Sequence, residues 1–235
     1  MTTNERGIGW VEELGAERAS LGRASTARRV ADVLRARITE GRLPPGTRLS
    51  EEDIGAALGV SRNTLRESFR LLAHERLLVH EFNRGVFVRK LDADDVRDLY
   101  AFRRILECGA LRHATRTEEA VRRTAVEAVR RAVEDGESSA TQGNWVDVGT
   151  ANMAFHQAIA LFAQSPRVDE AMRHVLAELR LVFHVMAAPQ TFHEPYLTDN
   201  RRILGHLADG EFEAAAQALA AYLDAAESQL VAVFE

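Results

Sequence analysis

The sequence predicts a mostly α protein: an N-terminal winged helix-turn-helix of three helices plus a β-hairpin wing, followed by an all-α antiparallel helical bundle. Three observations carry that prediction. Apolar residues make up 46% of the 235-residue chain and aromatics only 6%, with Ala, Leu and Val prominent, which favours helix over strand. Between Ser50 and Leu77 a short Gly-containing turn separates two helical patterns, and a hairpin pattern follows at once. Charge also divides the chain. Residues 1–91 hold 16 Lys+Arg against 12 Asp+Glu, net +4, while residues 92–235 hold 14 against 23, net −9, within a total of −5. The expected organisation is an arm over 1–23, the winged helix-turn-helix over 24–91 and the helical domain over 92–235.

Residues 1–23 mix charges with Gly7, Gly9, Gly15 and Gly22, a pattern allowing at most a short helix. From Thr26, the residues Ala27, Val30, Ala31, Leu34 and Ile38 recur at helical spacing and stop at Gly41, ahead of the breaker Leu43-Pro44-Pro45-Gly46. Ser50 caps a second helix, Glu51 to Leu58, whose first-turn acids suit the positive end of the helix dipole. Gly59 ends it, and Ser61 caps a third helix to about Leu77. Leu77 to Phe82, a turn at Asn83-Arg84-Gly85, and Val86-Phe87-Val88 form the hairpin. Helices are then expected over 92–115, 117–136, 144–163, 166–188, 197–209 and 211–234, punctuated by Gly136, Gly143, Pro166, Pro189, Pro195 and Gly210.

On the third helix Leu65, Phe69 and Leu72 share one arc, while Arg62, Asn63, Arg66 and Arg70 fill the neighbouring one. One side packs and the other is free to meet DNA. Arginine bonds guanine O6 and N7 together or clamps phosphate, and asparagine addresses adenine or the backbone. A solvated charged face is the alternative reading of such a helix in isolation. The Gly59 turn, the Ser61 cap and the hairpin favour DNA.

The segments Pro44-Pro45-Gly46-Thr47-Arg48-Leu49-Ser50-Glu51 and Leu58-Gly59-Val60-Ser61-Arg62-Asn63-Thr64-Leu65-Arg66-Glu67 resemble the DNA-binding domain of the GntR family over roughly residues 26–90. The resemblance implies that Ser61, Arg62 and Arg66 touch phosphates and bases in the major groove, and that Gly85 at the wing tip approaches the minor groove. The candidate DNA-binding set is therefore Arg48, Ser61, Arg62, Asn63, Thr64, Arg66, Arg70, Arg84 and Gly85. Two positions depart from the family: Thr64 stands where many members place proline, and Glu52 where many place a basic residue. The second departure argues that helix two positions rather than reads.

In the first helix of the second domain Leu99, Phe102, Leu106 and Ala110 form an apolar stripe with Arg103 inside it. A buried guanidinium needs an anion. Glu107, one turn on, and the carboxylate of a bound ligand are the two candidates. Three further helices repeat the anomaly: Asn152 and His156 lie among Val148, Phe155 and Ile159; Asn200 lies among Ile203, Leu204 and Leu207; Tyr222 lies with Ala215 and Ala226. Four helices aiming polar groups inward predict a shared site with convergent donors and acceptors.

Residues 92–235 resemble the all-helical effector domain of the FadR subgroup of GntR regulators, the FCD domain. Many such members hold a divalent metal with an Asp or Asn, a His four residues later, and two further His spaced 22 apart. Here those positions are Asn152, His156, Asn200 and Tyr222, so two of the three histidines are missing. A neutral amide is a weak ligand for zinc or nickel, and a phenol must first lose a proton from a group with a pKa near ~10. The expected ligand is instead a small organic acid held by Arg103, with His156, Asn152, Asn200 and Tyr222 supplying hydrogen bonds. A Zn or Ni site on Asn152 and His156 is the alternative, and His174, His184, His193 and His206 are expected to be surface or core fillers.

The resemblance implies a transcription regulator, more often a repressor, that binds double-stranded operator DNA as a homodimer. An enzyme is the competing class, but no intact ligand set, general base, Gly-rich phosphate loop or nucleophile elbow supports one. Cys108 is a single thiol inside a helical pattern, expected to be buried and structural. No stretch approaches the roughly 18 apolar residues of a spanning helix, and the N-terminus lacks a signal-peptide core. The expected location is the cytoplasm, with no membrane partner. Basic residues number 29 Arg and one Lys, Lys90, a codon-bias signature with no functional reading.

Overall fold

The computed structural model describes residues 18–183 and 189–234. It divides into two compact units that meet in sequence between Arg89 and Lys90. Each follows from its own apolar pattern.

In the first unit α1 (Arg18–Thr39) lays Ala27, Val30, Ala31, Leu34 and Ile38 against α3 (Arg62–His74), which contributes Leu65, Phe69 and Leu72. The helix starts at Arg18, so the part of the expected arm from 18 to 23 is helical; the rest of that arm lies outside the described residues. Ser68, fully buried on α3, donates its hydroxyl toward Ala27 O at 2.9 Å and Thr64 O at 2.8 Å. Arg35 of α1 donates through Nε and Nη2 to the Glu75 carboxylate at 2.6 and 2.7 Å, a two-point clamp beyond the end of α3.

Between them α2 (Glu51–Leu58) is capped by Ser50, whose side chain accepts from Asp53 N. Gly59 closes it in the left-handed region, φ 63°, where a Cβ carries a steric penalty. The wing is a three-stranded antiparallel sheet rather than a bare hairpin. β2 (Leu78–Glu81) and β3 (Gly85–Val88) pair as expected, and β1 (Arg48–Leu49) adds to the free edge of β3. Two residues are too few to show a period-2 pattern, so β1 carries no strand signal in the sequence.

The second unit is helical throughout its described residues: α4 (Ala93–Arg103), a π-helical turn (Arg104–Cys108), α5 (Gly109–His113), α6 (Glu119–Thr141), α7 (Trp145–Ala160), α8 (Pro166–Phe183), α9 (Pro189–Ala208) and α10 (Phe212–Val231). Its core holds Val129, Phe155, Ile159, Leu179, Ile203, Leu219 and Leu223, all fully buried. Three expectations are corrected. Of the expected stripe Leu99 and Ala110 are buried, but Phe102 is 40% exposed, and Val96, Tyr100, Arg103, Glu107 and Leu111 point inward beside them, the last two placed by the wide turn at 104–108. α6 runs past Gly136 to Thr141; the glycine lies buried inside the helix and does not end it. α9 begins at Pro189 instead of 197 and carries Pro195 inside it.

Candidate nucleic-acid interface and buried polar cluster

Ser61 starts α3 from an extended backbone, φ −71° and ψ 154°, and its Oγ accepts from Thr64 N at 3.2 Å. This cap directs the first turn of α3 outward, with Arg62, Asn63, Arg66 and Arg70 exposed and Leu65, Phe69 and Leu72 fully buried. Thr64 differs from the rest of the predicted set. Its side chain is buried and its hydroxyl shares a 2.9 Å hydrogen bond with Ser61 Oγ, so it braces the cap and offers no free group. Arg66 Nε donates to both oxygens of Glu51 at 3.1 Å, which ties α3 to the first turn of α2.

The wing brings Arg48 and Gly85 together. Gly85 has φ 111°, and a Cβ there would sit 3.5 Å from Arg48 Nε. Arg84 pairs with Glu81 and lies 5.5 Å from the centre of the Phe87 ring. Between wing and helices runs an open groove of about 680 Å³, with Arg48, Arg62 and Arg66 facing Glu51, Glu52 and Asp53.

In the second unit Arg103, Glu107 and His156 are at most 1% exposed. Arg103 Nε donates to Glu107 Oε1 at 2.8 Å, and the guanidinium lies 4.7 Å from the centre of the Tyr100 ring. Of the two partners open to Arg103 from sequence, the structure supplies Glu107. Glu107 Oε2 in turn meets His156 Nδ1 at 2.6 Å, and His156 Nε2 meets Tyr222 Oη at 3.2 Å. Tyr222 donates to Asn152 Oδ1 at 3.1 Å, and Asn200 Nδ2 donates to the same oxygen at 2.8 Å. One chain of hydrogen bonds thus joins all five predicted residues and adds Glu107 as its hub. Arg103 Nη2 and Asn200 Oδ1 are buried without a protein partner. A void of about 10 Å³, room for one water, lies against Asn152, Asn200 and His193.

Burial opposes ionisation of Glu107, but the hydrogen bond from His156 and the charge of the Arg103 guanidinium outweigh it and hold its carboxyl below the usual range. Burial pushes His156 below its ordinary value despite the adjacent Glu107, and Arg103 adds to the depression. The Tyr222 phenol is driven well above its ordinary value, mainly by burial. Burial and then Arg180 bring His193 down to about 4.

A model of the bacterial regulatory proteins of the gntR family matches residues 26–88, and the FCD domain model matches residues 98–225. The chain is 46% identical over 81 residues to the HTH-type transcriptional regulator BphR of Paraburkholderia xenovorans, 34% of this chain and 33% of that protein. A crystal structure described as that of a GntR transcriptional regulator from Rhodococcus sp. RHA1 superposes with a TM-score of 0.81 at 45% identity, covering 90% of this chain and 100% of that one. The probable D-xylose utilization operon transcriptional repressor of Paenarthrobacter nicotinovorans is 30% identical over 209 residues, 87% of this chain and 90% of that protein. The chain belongs to the GntR family of bacterial transcription regulators.

This GntR regulator carries an FCD effector-binding domain whose polar cluster does not fit a divalent metal. His156 spends both ring nitrogens on Glu107 and Tyr222, and the remaining donors are two amides and a phenol that holds its proton firmly. Among the described residues no three His, Cys, Asp or Glu side chains converge into a metal cage. Cys108 is buried, with its thiol pushed up to about 11 by burial and Glu107, a structural rather than reactive group. No described helix is long and apolar enough to cross a membrane.

Sequence reasoning missed the Glu107–His156 bond and the Tyr100 ring beside Arg103. The second had a local signal: Tyr100 and Arg103 stand three apart on one helix. The first joins residues 49 apart in sequence and had none.

Two outcomes follow. Glu107→Gln strips the buried guanidinium of its counter-charge and should cost on the order of 3–5 kcal/mol in urea unfolding, whereas Arg103→Met with Glu107→Leu should recover most of it; a Gln variant as stable as wild type would contradict the pairing. The folded chain refuses protons at His193 and His156 that the unfolded chain accepts, so stability is full above about pH 6.5 and falls on acidification. Between pH 7 and pH 4 His193 alone should remove on the order of 3 kcal/mol. His193→Gln should flatten that part of the profile, measured by unfolding at a series of pH values.

Proposed function

We propose that this regulator reads a palindromic operator as a homodimer in the cytoplasm, acting as a repressor rather than an enzyme. Ser61, Arg62, Asn63, Arg66 and Arg70 enter the major groove, and Arg48, Arg84 and Gly85 follow the backbone into the minor groove. The observation that carries the reading is the capped first turn of α3, which presents Arg62, Asn63 and Arg66 on one exposed face opposite a fully buried one. Phe102 and Ile105, 40% and 72% exposed and one turn apart, give the second unit an apolar face for a second copy of the chain.

The effector on this reading is a small organic acid, and its carboxylate competes with Glu107 for Arg103. The unpaired Arg103 Nη2 donor supports it, and Asn200 Oδ1 is left to accept from a hydroxyl of the ligand. The 10 Å³ void is too small for such a ligand, so binding requires the chain of hydrogen bonds to part, and a ligand that favours the parted arrangement shifts operator affinity.

Selection from a random duplex pool should enrich a two-fold symmetric site. Arg62→Ala and Arg66→Ala should each weaken that site by about 1–3 kcal/mol, with strong salt dependence in the wild type; unchanged affinity in both variants would displace α3 from the reading position. In a thermal-shift screen of small carboxylic acids, stabilisation should persist after chelation and vanish in Arg103→Met. Stabilisation that needs a divalent ion would overturn the metal-free reading.

A further inference from the structure

The wing tip carries a residue that its own fold does not use. Arg84 N–H donates to Glu81 O at 3.1 Å, closing a turn over Glu81-Phe82-Asn83-Arg84. Asn83 sits in the left-handed region at the third place, φ 58°, the signature of a type II turn. The second place of such a turn favours proline. Phe82 occupies it, 92% exposed, more than any other large hydrophobic residue described. No packing within the sheet explains a phenyl ring there, because Val86 and Val88 already fill the wing's inner face.

The neighbours of Phe82 narrow what would cover it. Arg84, 72% exposed, stands two residues on, Arg48 lies beside the tip, and Gly85 leaves the backbone bare. An apolar wedge flanked by arginines on a thin β-turn matches the minor groove of a duplex. There the negative potential draws the guanidinium groups, and an inserted ring separates two base pairs. A protein partner would be expected to meet a broader apolar surface, and the flanking wing residues Glu81, Asn83 and Arg84 are all polar.

We propose that Phe82 is a minor-groove wedge that partly unstacks one A·T-rich base step beside each half-site, so that the regulator selects deformable flanking sequence it does not hydrogen-bond. The proposal rests on the major-groove placement of α3 given above. Burying the ring offsets the cost of unstacking, and flexible steps such as TA lower that cost.

The test uses the full chain and a duplex selected from the random pool, with 2-aminopurine replacing adenine at successive flanking positions. Wild-type protein should raise the fluorescence at one step per half-site. Phe82→Ala should abolish that rise and weaken binding about five- to tenfold, while Phe82→Trp restores both. Because Phe82 is exposed, thermal unfolding of the Ala variant should match wild type. Replacing the flanking TA step by GC should weaken wild type more than Phe82→Ala. If Phe82→Ala binds and unstacks like wild type while Arg62→Ala still loses affinity, the wedge is wrong and the reading helix stands. If neither variant loses affinity, the placement of α3 fails as well. A change in oligomeric state of Phe82→Ala without DNA would assign the ring to a protein contact and overturn the proposal.

Discussion

The second unit is organised by the cost of one buried charge. Arg103 cannot shed its proton, and its guanidinium stands in a helical core at 1% exposure. Only an anion close by makes that tolerable, and Glu107 on the following turn supplies it. Neutralising the guanidinium leaves the second carboxylate oxygen of Glu107 with lone pairs to satisfy, and His156 Nδ1 meets it. His156 Nε2 then lies 3.2 Å from Tyr222 Oη, which also reaches Asn152. The sequence of obligations runs through Asn152 to Asn200 and so ties α4, α7, α9 and α10 together. Each link exists because the one before would otherwise be buried unsatisfied.

Proton counting shows where this chain is loosest. A neutral His156 that donates through Nδ1 to Glu107 must accept at Nε2, and Tyr222 has a single proton for two acceptors, His156 Nε2 at 3.2 Å and Asn152 Oδ1 at 3.1 Å. Protonating His156 would satisfy both, but it would leave a net positive charge in the core, and burial holds the imidazole neutral. An added anion would remove that objection. On the proposed reading the cluster is therefore a poised element: it is complete enough to hold four helices in one arrangement, and it lacks one negative charge for its second protonation state.

What was legible from sequence follows the range of the interaction. The exposed and buried faces of α3 came from a 3.6-residue period, and the caps at Ser50 and Ser61 from residues three positions away. Polar groups on apolar faces flagged Arg103, Asn152, His156, Asn200 and Tyr222, because burial without a partner is costly wherever the partner is. Their pairing was not legible, since it depends on helices dozens of residues apart. Phe102 shows the limit of periodicity: it shares an arc with Leu99 and Arg103 yet is 40% exposed, because a helical period gives the face and not its width. The start of α9 was misread because proline ordinarily ends a helix, whereas Pro189 stands at its first position, where no N–H is required.

The acids of α2 take on a definite role in the structure. At the first turn of a helix beside the reading face, Glu51, Glu52 and Asp53 look set to repel a phosphate backbone. Glu51 instead accepts from Arg66 Nε, 15 residues on, and holds that side chain along the groove between helix and wing. Such a pair is largely exposed and contributes little to stability. Its effect is on geometry: a guanidinium held through Nε leaves its two other nitrogens unspent in the pair and has less rotamer freedom to lose on binding. The acidic turn thereby sets the orientation of a cation, and on the proposed reading that side chain is already in place when duplex DNA arrives.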